Sequence, residues 1–274
     1  MSNHNLYEDQ FNAKYNFGAC EKVKKTLIIA STPRCGSHLL GHSLYETKQF
    51  GFPLEYVQPA NLDKWKIIYK TDNTSVALDQ IEQHRTSPNG VFSIKIHYHQ
   101  LSQLGGFNGL LKRYKNPYIM LLTRSDALNQ AVSLSIARQS GVWIAGQLPK
   151  NYNITYNYDD INYCLRRTLL DNAAWRYLLA SSTADYIELD FAQVKTDLNN
   201  CVVKIADFMQ LENFNIKEPV KHATKVQSNA INKEWIEKFK SDKRTQDILL
   251  DVDKVLDKKS IASKVKYRIK NIFT

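Results

Sequence analysis

From Lys25 onward, short apolar runs alternate with stretches whose apolar residues recur at helical spacing. Lys25-Thr-Leu-Ile-Ile-Ala-Ser31 is rich in branched residues and leads directly into Thr32-Pro-Arg-Cys-Gly-Ser37, which predicts a buried strand followed by a tight loop. Three further strands are predicted at Val91–His97, Pro117–Thr123 and Asp185–Leu189. Between them the 3.6-residue period predicts helices at His38–Glu46, Thr74–His84, Gln100–Arg113, Ser125–Ser140 and Asp160–Ser181, then at Asn199–Met209 and Lys233–Ser241. The segment from Gln49 to Tyr69 has weak periodicity and reads as an insertion near the active site. Strands alternating with helices imply right-handed crossovers and a parallel sheet covered on both faces, an α/β three-layer sandwich. Ligands of such sheets bind beyond the carboxyl ends of the strands.

Composition narrows the classes without choosing among them. The 274 residues are 43% hydrophobic and 23% charged, an ordinary globular balance that a single α/β domain accommodates over residues 1–274. No apolar run approaches the ~18 residues of a membrane span, and the first twenty residues carry no signal-like apolar core. The four cysteines are scattered, with neither a disulfide framework nor a zinc-site spacing, so a cytoplasmic setting and no metal are expected. Of the net charge of +10, a share of +6 lies in residues 254–274, where Ile261, Val265, Ile269 and Ile272 recur at helical spacing. This basic amphipathic tail suits either docking on its own domain or peripheral contact with an anionic inner-membrane surface. Nothing in the body supports a nucleic-acid partner.

The candidate chemistry sits in two loops. After the first predicted strand, backbone N–H groups at a helix start converge on an anion, and Gly36 allows close approach. Ser37 adds a hydroxyl there, and Arg34 can clamp phosphate or sulfate oxygens in a bidentate way. The loop lacks the GxxxxGK[ST] pattern of nucleotide kinases. After the third strand, Arg124 falls at the strand's carboxyl end, beside a helix start that Ser125 or Asp126 can cap, and Ser133 lies in that helix. An Arg and a Ser there can hold a second phosphate, so the two loops together suit a nucleotide carrying phosphates at both ends.

These segments resemble the 5′-phosphosulfate and 3′-phosphate motifs of P-loop-like sulfotransferases. More narrowly, the chain is similar to the bacterial carbohydrate sulfotransferases of the trehalose 2-sulfotransferase type. The resemblance rests on Ala30–Leu40, Gly51-Phe-Pro-Leu-Glu-Tyr56, Gly90–His97, Thr123–Ser133 and Asn172-Ala-Ala-Trp175, and spans about Lys25 to Lys240. It implies the sulfotransferase fold and transfer from 3′-phosphoadenosine 5′-phosphosulfate (PAPS) to a hydroxyl of a carbohydrate or glycolipid, without a metal. Arg34, Cys35, Gly36, Ser37 and His38 would line the 5′-phosphosulfate, with Cys35 and His38 mild departures from the family pattern. Cys35, at a helix N-terminus, is a candidate for a depressed thiol pKa and a spectator in the chemistry. Arg124 and Ser133 would hold the 3′-phosphate, and Glu55 aligns with the family's proposed general base.

Lys95 and His97 form a rival constellation, because Lys-Ile-His resembles the Lys-x-His of other sulfotransferase families, in which the His is the base. Glu55 is the preferred base, with His97 or Lys95 touching acceptor or sulfate. Tyr56, Trp65, Tyr98 and Trp143 fall near the predicted mouth and can stack on a sugar, though core packing accounts for them equally well. Lys225, Gln227 and Ser228 lie in a region that covers the cofactor in the family. Relatives can form homodimers, but no interface is evident in the sequence. Two other classes remain open at this point: a P-loop nucleotide kinase, and a non-catalytic nucleotide-binding protein at the membrane surface.

Overall fold

The computed structural model describes residues 8–19, 22–144, 147–212, 214–215 and 230–246. The basic tail and the Lys225–Ser228 region lie outside them. Two compact units are distinguished, residues 1–236 and 237–274; all that follows concerns the first.

Four strands form one parallel sheet in the order β2-β1-β3-β4, with β1 Lys25–Ser31, β2 Val91–His97, β3 Tyr118–Thr123 and β4 Tyr186–Asp190. The first three are almost wholly buried because helices cover both faces, which is why they read as continuous apolar runs rather than alternating ones. One apolar layer gathers Ile28, Ala30, Phe92, Ile94 and Ile96 with Trp65, Leu78, Leu110 and Trp175. The opposite layer gathers Leu27, Ile29, Met120 and Leu122 with Leu40, Leu44, Val202 and Ile205. The result is the expected three-layer α/β sandwich.

The helices are α1 Ser37–Glu46, α2 Pro59–Ile68, α3 Thr74–Arg85, α4 Gly106–Arg113 and α5 Ala127–Ser140. They continue with α6 Tyr158–Ala180, α7 Phe191–Thr196, α8 Leu198–Phe208 and α9 Ala230–Ser241, followed by a short turn, α10 Lys243–Gln246. Three sequence expectations change. The single helix expected over Gln100–Arg113 is a 3-10 helix, Tyr98–Leu104, followed by α4. Gly105 and Gly106, at φ 77° and 82°, break the run between them. Gln49–Tyr69 contains α2, started by Pro59 and by Gln58 accepting from the Asn61 amide. Only Asn61, Leu62 and Trp65 of that helix are buried, too few to set a visible period. Finally, α7 is closed by a capping box between Asp190 and Gln193.

No helix among the described residues is long and apolar enough to cross a membrane.

Candidate active site

The loop between β1 and α1 turns through two left-handed residues, Arg34 at φ 67° and Gly36 at φ 89°. Gly36 is required for a second reason: a Cβ there would meet the ring of Phe191, at the start of α7, at 2.1 Å. The loop is braced from behind by α5 and α6. Gln130 Nε2 donates to Thr32 Oγ1 at 2.9 Å and to the Pro33 carbonyl at 2.7 Å. Thr32 Oγ1 in turn donates to Asn172 Oδ1 at 3.3 Å, and Trp175 Nε1 donates to the Ser31 carbonyl at 3.1 Å. All these groups are buried. This buried amide network underlies the Asn172-Ala-Ala-Trp175 segment noted in the sequence, and Gln130 completes it.

The two anion loops converge. Arg34 Nε donates to Ser133 Oγ at 3.0 Å and its Nη1 to the Trp143 carbonyl, while Arg124 Nη1 lies 3.4 Å from the Arg34 carbonyl. Ser133, expected beside Arg124, is thus held by Arg34 from the first loop. Arg124 stands over the Phe191 ring at 5.4 Å. Its own loop is tied to the end of β4, where Ser125 N donates to Asp190 Oδ2 at 2.6 Å. Burial, then repulsion by Arg124, brings the Arg34 pKa down to about 10. Burial likewise lowers Arg124, with Asp126 and Asp190 opposing. Two buried guanidiniums pressed together in this way favour an anion between them.

Cys35 does not fit a reactive-thiol role. Its side chain is fully buried in the apolar layer beneath the loop, and burial raises its pKa despite hydrogen bonds from Thr32 and Ser37. Its side chain faces away from the loop's ligand side, so only its backbone can face an anion. His38, on the first turn of α1, is held well below its ordinary pKa by burial first and then by Lys95, His42 and Arg34, with Glu55 opposing. Those electrostatic contacts make His38 the neighbour common to both halves of the site.

The second half is built on the outer edge of the sheet. The segment before α2 adds a parallel bridge, Leu54 to Ile94, with Lys95 N donating to the Leu54 carbonyl at 3.0 Å. This covers the β2 edge and brings Glu55 beside Lys95. Lys95 Nζ lies 2.9 Å and His97 Nε2 3.3 Å from Glu55 Oε1, and Gln100 Nε2 donates to Oε2 at 2.8 Å. His97 Nδ1 is 3.0 Å from Ser31 Oγ, its register partner on β1. Lys95 and His97 side chains are 4% and 7% exposed against 25% for Glu55, so the carboxylate is the member that meets solvent. Burial alone would raise the Glu55 pKa; His97 and Lys95 outweigh it and hold the carboxyl well below the usual range.

Sequence reasoning singled out Glu55, Lys95 and His97, and all three meet. It missed Ser31, Gln100 and Gln130. Gln100 directly follows the Lys95–His99 run, but its role depends on the 3-10 turn that reverses the chain there. Of the aromatics placed at the mouth, Tyr56 and Trp65 are instead core residues, 0% and 1% exposed. Tyr98 packs edge-on against Trp175, and only Trp143, at 40%, is openly exposed.

A parallel α/β sheet with an anion loop after its first strand and a carboxylate cluster on its edge defines a group-transfer class of protein. The family model of the Stf0 sulphotransferases matches residues 26–242, most of the chain. The chain therefore belongs to the Stf0 sulfotransferase family, and is an enzyme of sulfuryl transfer. That membership sets the nucleotide-kinase alternative aside.

Among solved structures, the sulfotransferase domain from the curacin biosynthetic pathway is 14% identical, with a TM-score of 0.46 over 73% of this chain and 77% of its own. A sulfotransferase from Alicyclobacillus acidocaldarius is 10% identical, with a TM-score of 0.48 over 79% and 91%. Retinol dehydratase, solved with androsterone and inactive cofactor PAP, is 16% identical, with a TM-score of 0.39 over 78% and 62%. No curated protein matches the sequence.

Proposed function

We propose that the enzyme transfers the sulfuryl group of PAPS to a hydroxyl of a carbohydrate or glycolipid, in line and without a metal, with Glu55 as general base. The single observation carrying this reading is the Glu55 cluster. One carboxylate, the most exposed group of a buried set, is held ionised beside a cationic anion loop.

The residues fit a donor with two anionic ends. Arg34 and Arg124 are drawn together under burial that disfavours their charge, and an anion between them relieves that cost. Arg34, Gly36, Ser37 and His38 would line the 5′-phosphosulfate, and Arg124 with Ser133 the 3′-phosphate. When bound, the donor supplies an activated sulfuryl group on a diphosphoadenosine leaving group. The positive charge that a divalent ion brings to kinases comes here from the two guanidiniums and the loop amides.

The choice between Glu55 and His97 as base follows from proton placement. An ionised Glu55 only accepts, so the His97 nitrogen facing it, Nε2, must carry a hydrogen. In a neutral ring the lone pair is then on Nδ1, pointed at the buried Ser31 hydroxyl, where no acceptor reaches. Glu55 is left as the group that can take the hydroxyl proton. A weakly basic carboxylate suffices when the proton leaves late in a loose transfer, since its first task is to orient the attacking oxygen. Lys95, beside Glu55, is placed to contact the transferred oxygens.

Isothermal titration with 3′,5′-diphosphoadenosine, using ADP and EDTA-treated protein as controls, tests the donor site. Metal-independent binding that is lost in Arg34→Ala and Arg124→Ala supports it. Preference for ADP with Mg²⁺ overturns it.

A further inference from the structure

The chain before β1 reaches the Glu55 cluster by a path the transfer chemistry does not use. Arg85, at the end of α3, is 0% exposed. Its Nη2 donates to the main-chain carbonyls of Gln10 at 2.8 Å and Asn12 at 3.3 Å. Its Nε and Nη1 have no hydrogen-bond partner among the described residues. The guanidinium lies instead among the rings of Trp65, Phe52 and Tyr15, at 5.3, 5.8 and 5.9 Å from their centroids. A buried cation fastened only to carbonyls and ring faces is expensive to keep. Its one directional task is to hold residues 10–12 in place.

What those residues hold in turn is the base. The Gln10 and Asn61 amides face each other, with Gln10 Nε2 to Asn61 Oδ1 at 3.3 Å and Asn61 Nδ2 to Gln10 Oε1 at 3.4 Å. The same Asn61 Nδ2 donates to the Glu55 main-chain carbonyl at 3.0 Å. Both amides are buried, 4% and 8% exposed. Further fastenings keep the segment down: Phe17 N donates to the His84 carbonyl at 2.8 Å, Phe11 packs on Trp65, and Tyr15 packs on Phe52 and Tyr45. The Glu55 side chain is gripped from β2, but its backbone is set from the opposite side, by Asn61 and through it Gln10.

We propose that residues 8–17 form a positioning strap: Arg85 fastens it, and through Gln10 and Asn61 it sets the backbone of the catalytic carboxylate. The strap touches neither donor nor acceptor in this scheme, so Gln10, Asn61 and Arg85 are positioning residues. Lifting the strap frees the Glu55 carbonyl and lets the carboxylate drift from Lys95, His97 and Gln100. The charged and titratable groups facing Glu55 are Lys95, His97 and His99 from β2 and the turn after it, and His38 from α1. None of these belongs to the strap, which makes a strap effect on Glu55 separable from a direct one.

The role given to the carboxylate rests on the proposed function, but the positioning can be read without any acceptor. Full-length protein carrying ¹³C-carboxyl-labelled Glu is titrated by NMR, with Glu55 assigned from Glu55→Gln, and hydrogen exchange is followed over residues 51–58. Gln10→Leu keeps the volume and removes the amide. It is expected to move the Glu55 titration up toward the ordinary carboxylate range and to speed exchange at 51–58 about tenfold, the loss expected for one or two buried hydrogen bonds. Arg85→Met is expected to do the same, and Arg85→Lys, which keeps a donor, to do so less. If Arg85→Met fails to fold, Gln10→Leu and Asn61→Leu still decide. Faster exchange confined to residues 8–17, with an unmoved Glu55 titration, overturns the strap. An active Glu55→Gln enzyme would instead overturn the carboxylate's role as base and leave the strap geometry standing.

Discussion

Glu55 sits where opposing effects can be ranked. Burial favours its neutral form, and two cationic neighbours with three hydrogen-bond donors more than reverse that. Because the folded value lies below the unfolded one, the stability Glu55 contributes is present above the unfolded carboxylate pKa, about 4.3. That contribution is lost as pH falls below this through the depressed value. Urea unfolding of wild type and Glu55→Gln should therefore show a constant difference from about pH 7 to pH 5, shrinking at more acid pH. In activity, Glu55→Gln is expected to cost about 10²- to 10⁴-fold in turnover, the usual range for a general base, with diphosphoadenosine affinity unchanged. An equal loss in donor binding would place Glu55 in the anion site instead.

Gly36 makes the other residue-scale case. A side chain there meets both a positive φ and the Phe191 ring, so Gly36→Ala should destabilise by roughly 2–4 kcal/mol and abolish donor binding. Gly105→Ala, with positive φ but open space, should cost only about 1 kcal/mol. Thermal melts of the two variants compare strain with and without a clash.

Between elements, the anion loop depends on helices that never touch the ligand in the proposed scheme. Gln130 on α5 and Asn172 on α6 hold Thr32 and Pro33, so the loop's shape belongs to helix packing as much as to its own residues. Gln130→Ala leaves the buried Pro33 carbonyl and Thr32 hydroxyl short of a donor. It should cost about 1–3 kcal/mol. Donor affinity should fall further than in a surface control such as Gln139→Ala, as read by titration calorimetry. The helices that sequence periodicity revealed are those with a broad buried face, such as α6 and α8. Those it missed are short or thinly buried: α2 hides three residues and α7 one. The Asp190–Gln193 capping box was a readable signal for α7 all the same.

For the whole molecule, the parallel sheet brings the β1 loop, the β3 loop and the β2 edge to one end, as topology demands of such folds. Ligand linkage makes this testable. Diphosphoadenosine at a hundred times its Kd should raise unfolding stability by about 2.7 kcal/mol, and should not do so in Arg124→Ala. The basic tail invites a separate trial: removing residues 254–274 should reduce sedimentation with anionic vesicles if it serves as a membrane contact, and unchanged binding rejects that role.

Three matters were settled by sequence alone. Apolar runs and their spacing specified strands, most helices and the parallel α/β class, because local periodicity reports burial directly. Arg34, Gly36 and Arg124 announced an anion site, since few roles other than anion binding join a strand-end arginine to a glycine turn at a helix start. Resemblance over the body pointed to sulfotransferases, and the family match bore it out. Only the tertiary structure decided how Glu55 is held. The bridge of Leu54 to Ile94, the fold-back of Gln100 and the strap over Asn61 join residues far apart in the chain, and no local pattern encodes a contact whose partners are chosen by packing. The same reason turned Tyr56 and Trp65 inward and buried the Cys35 thiol. Residue type states what a side chain is able to do, and the fold selects what it meets.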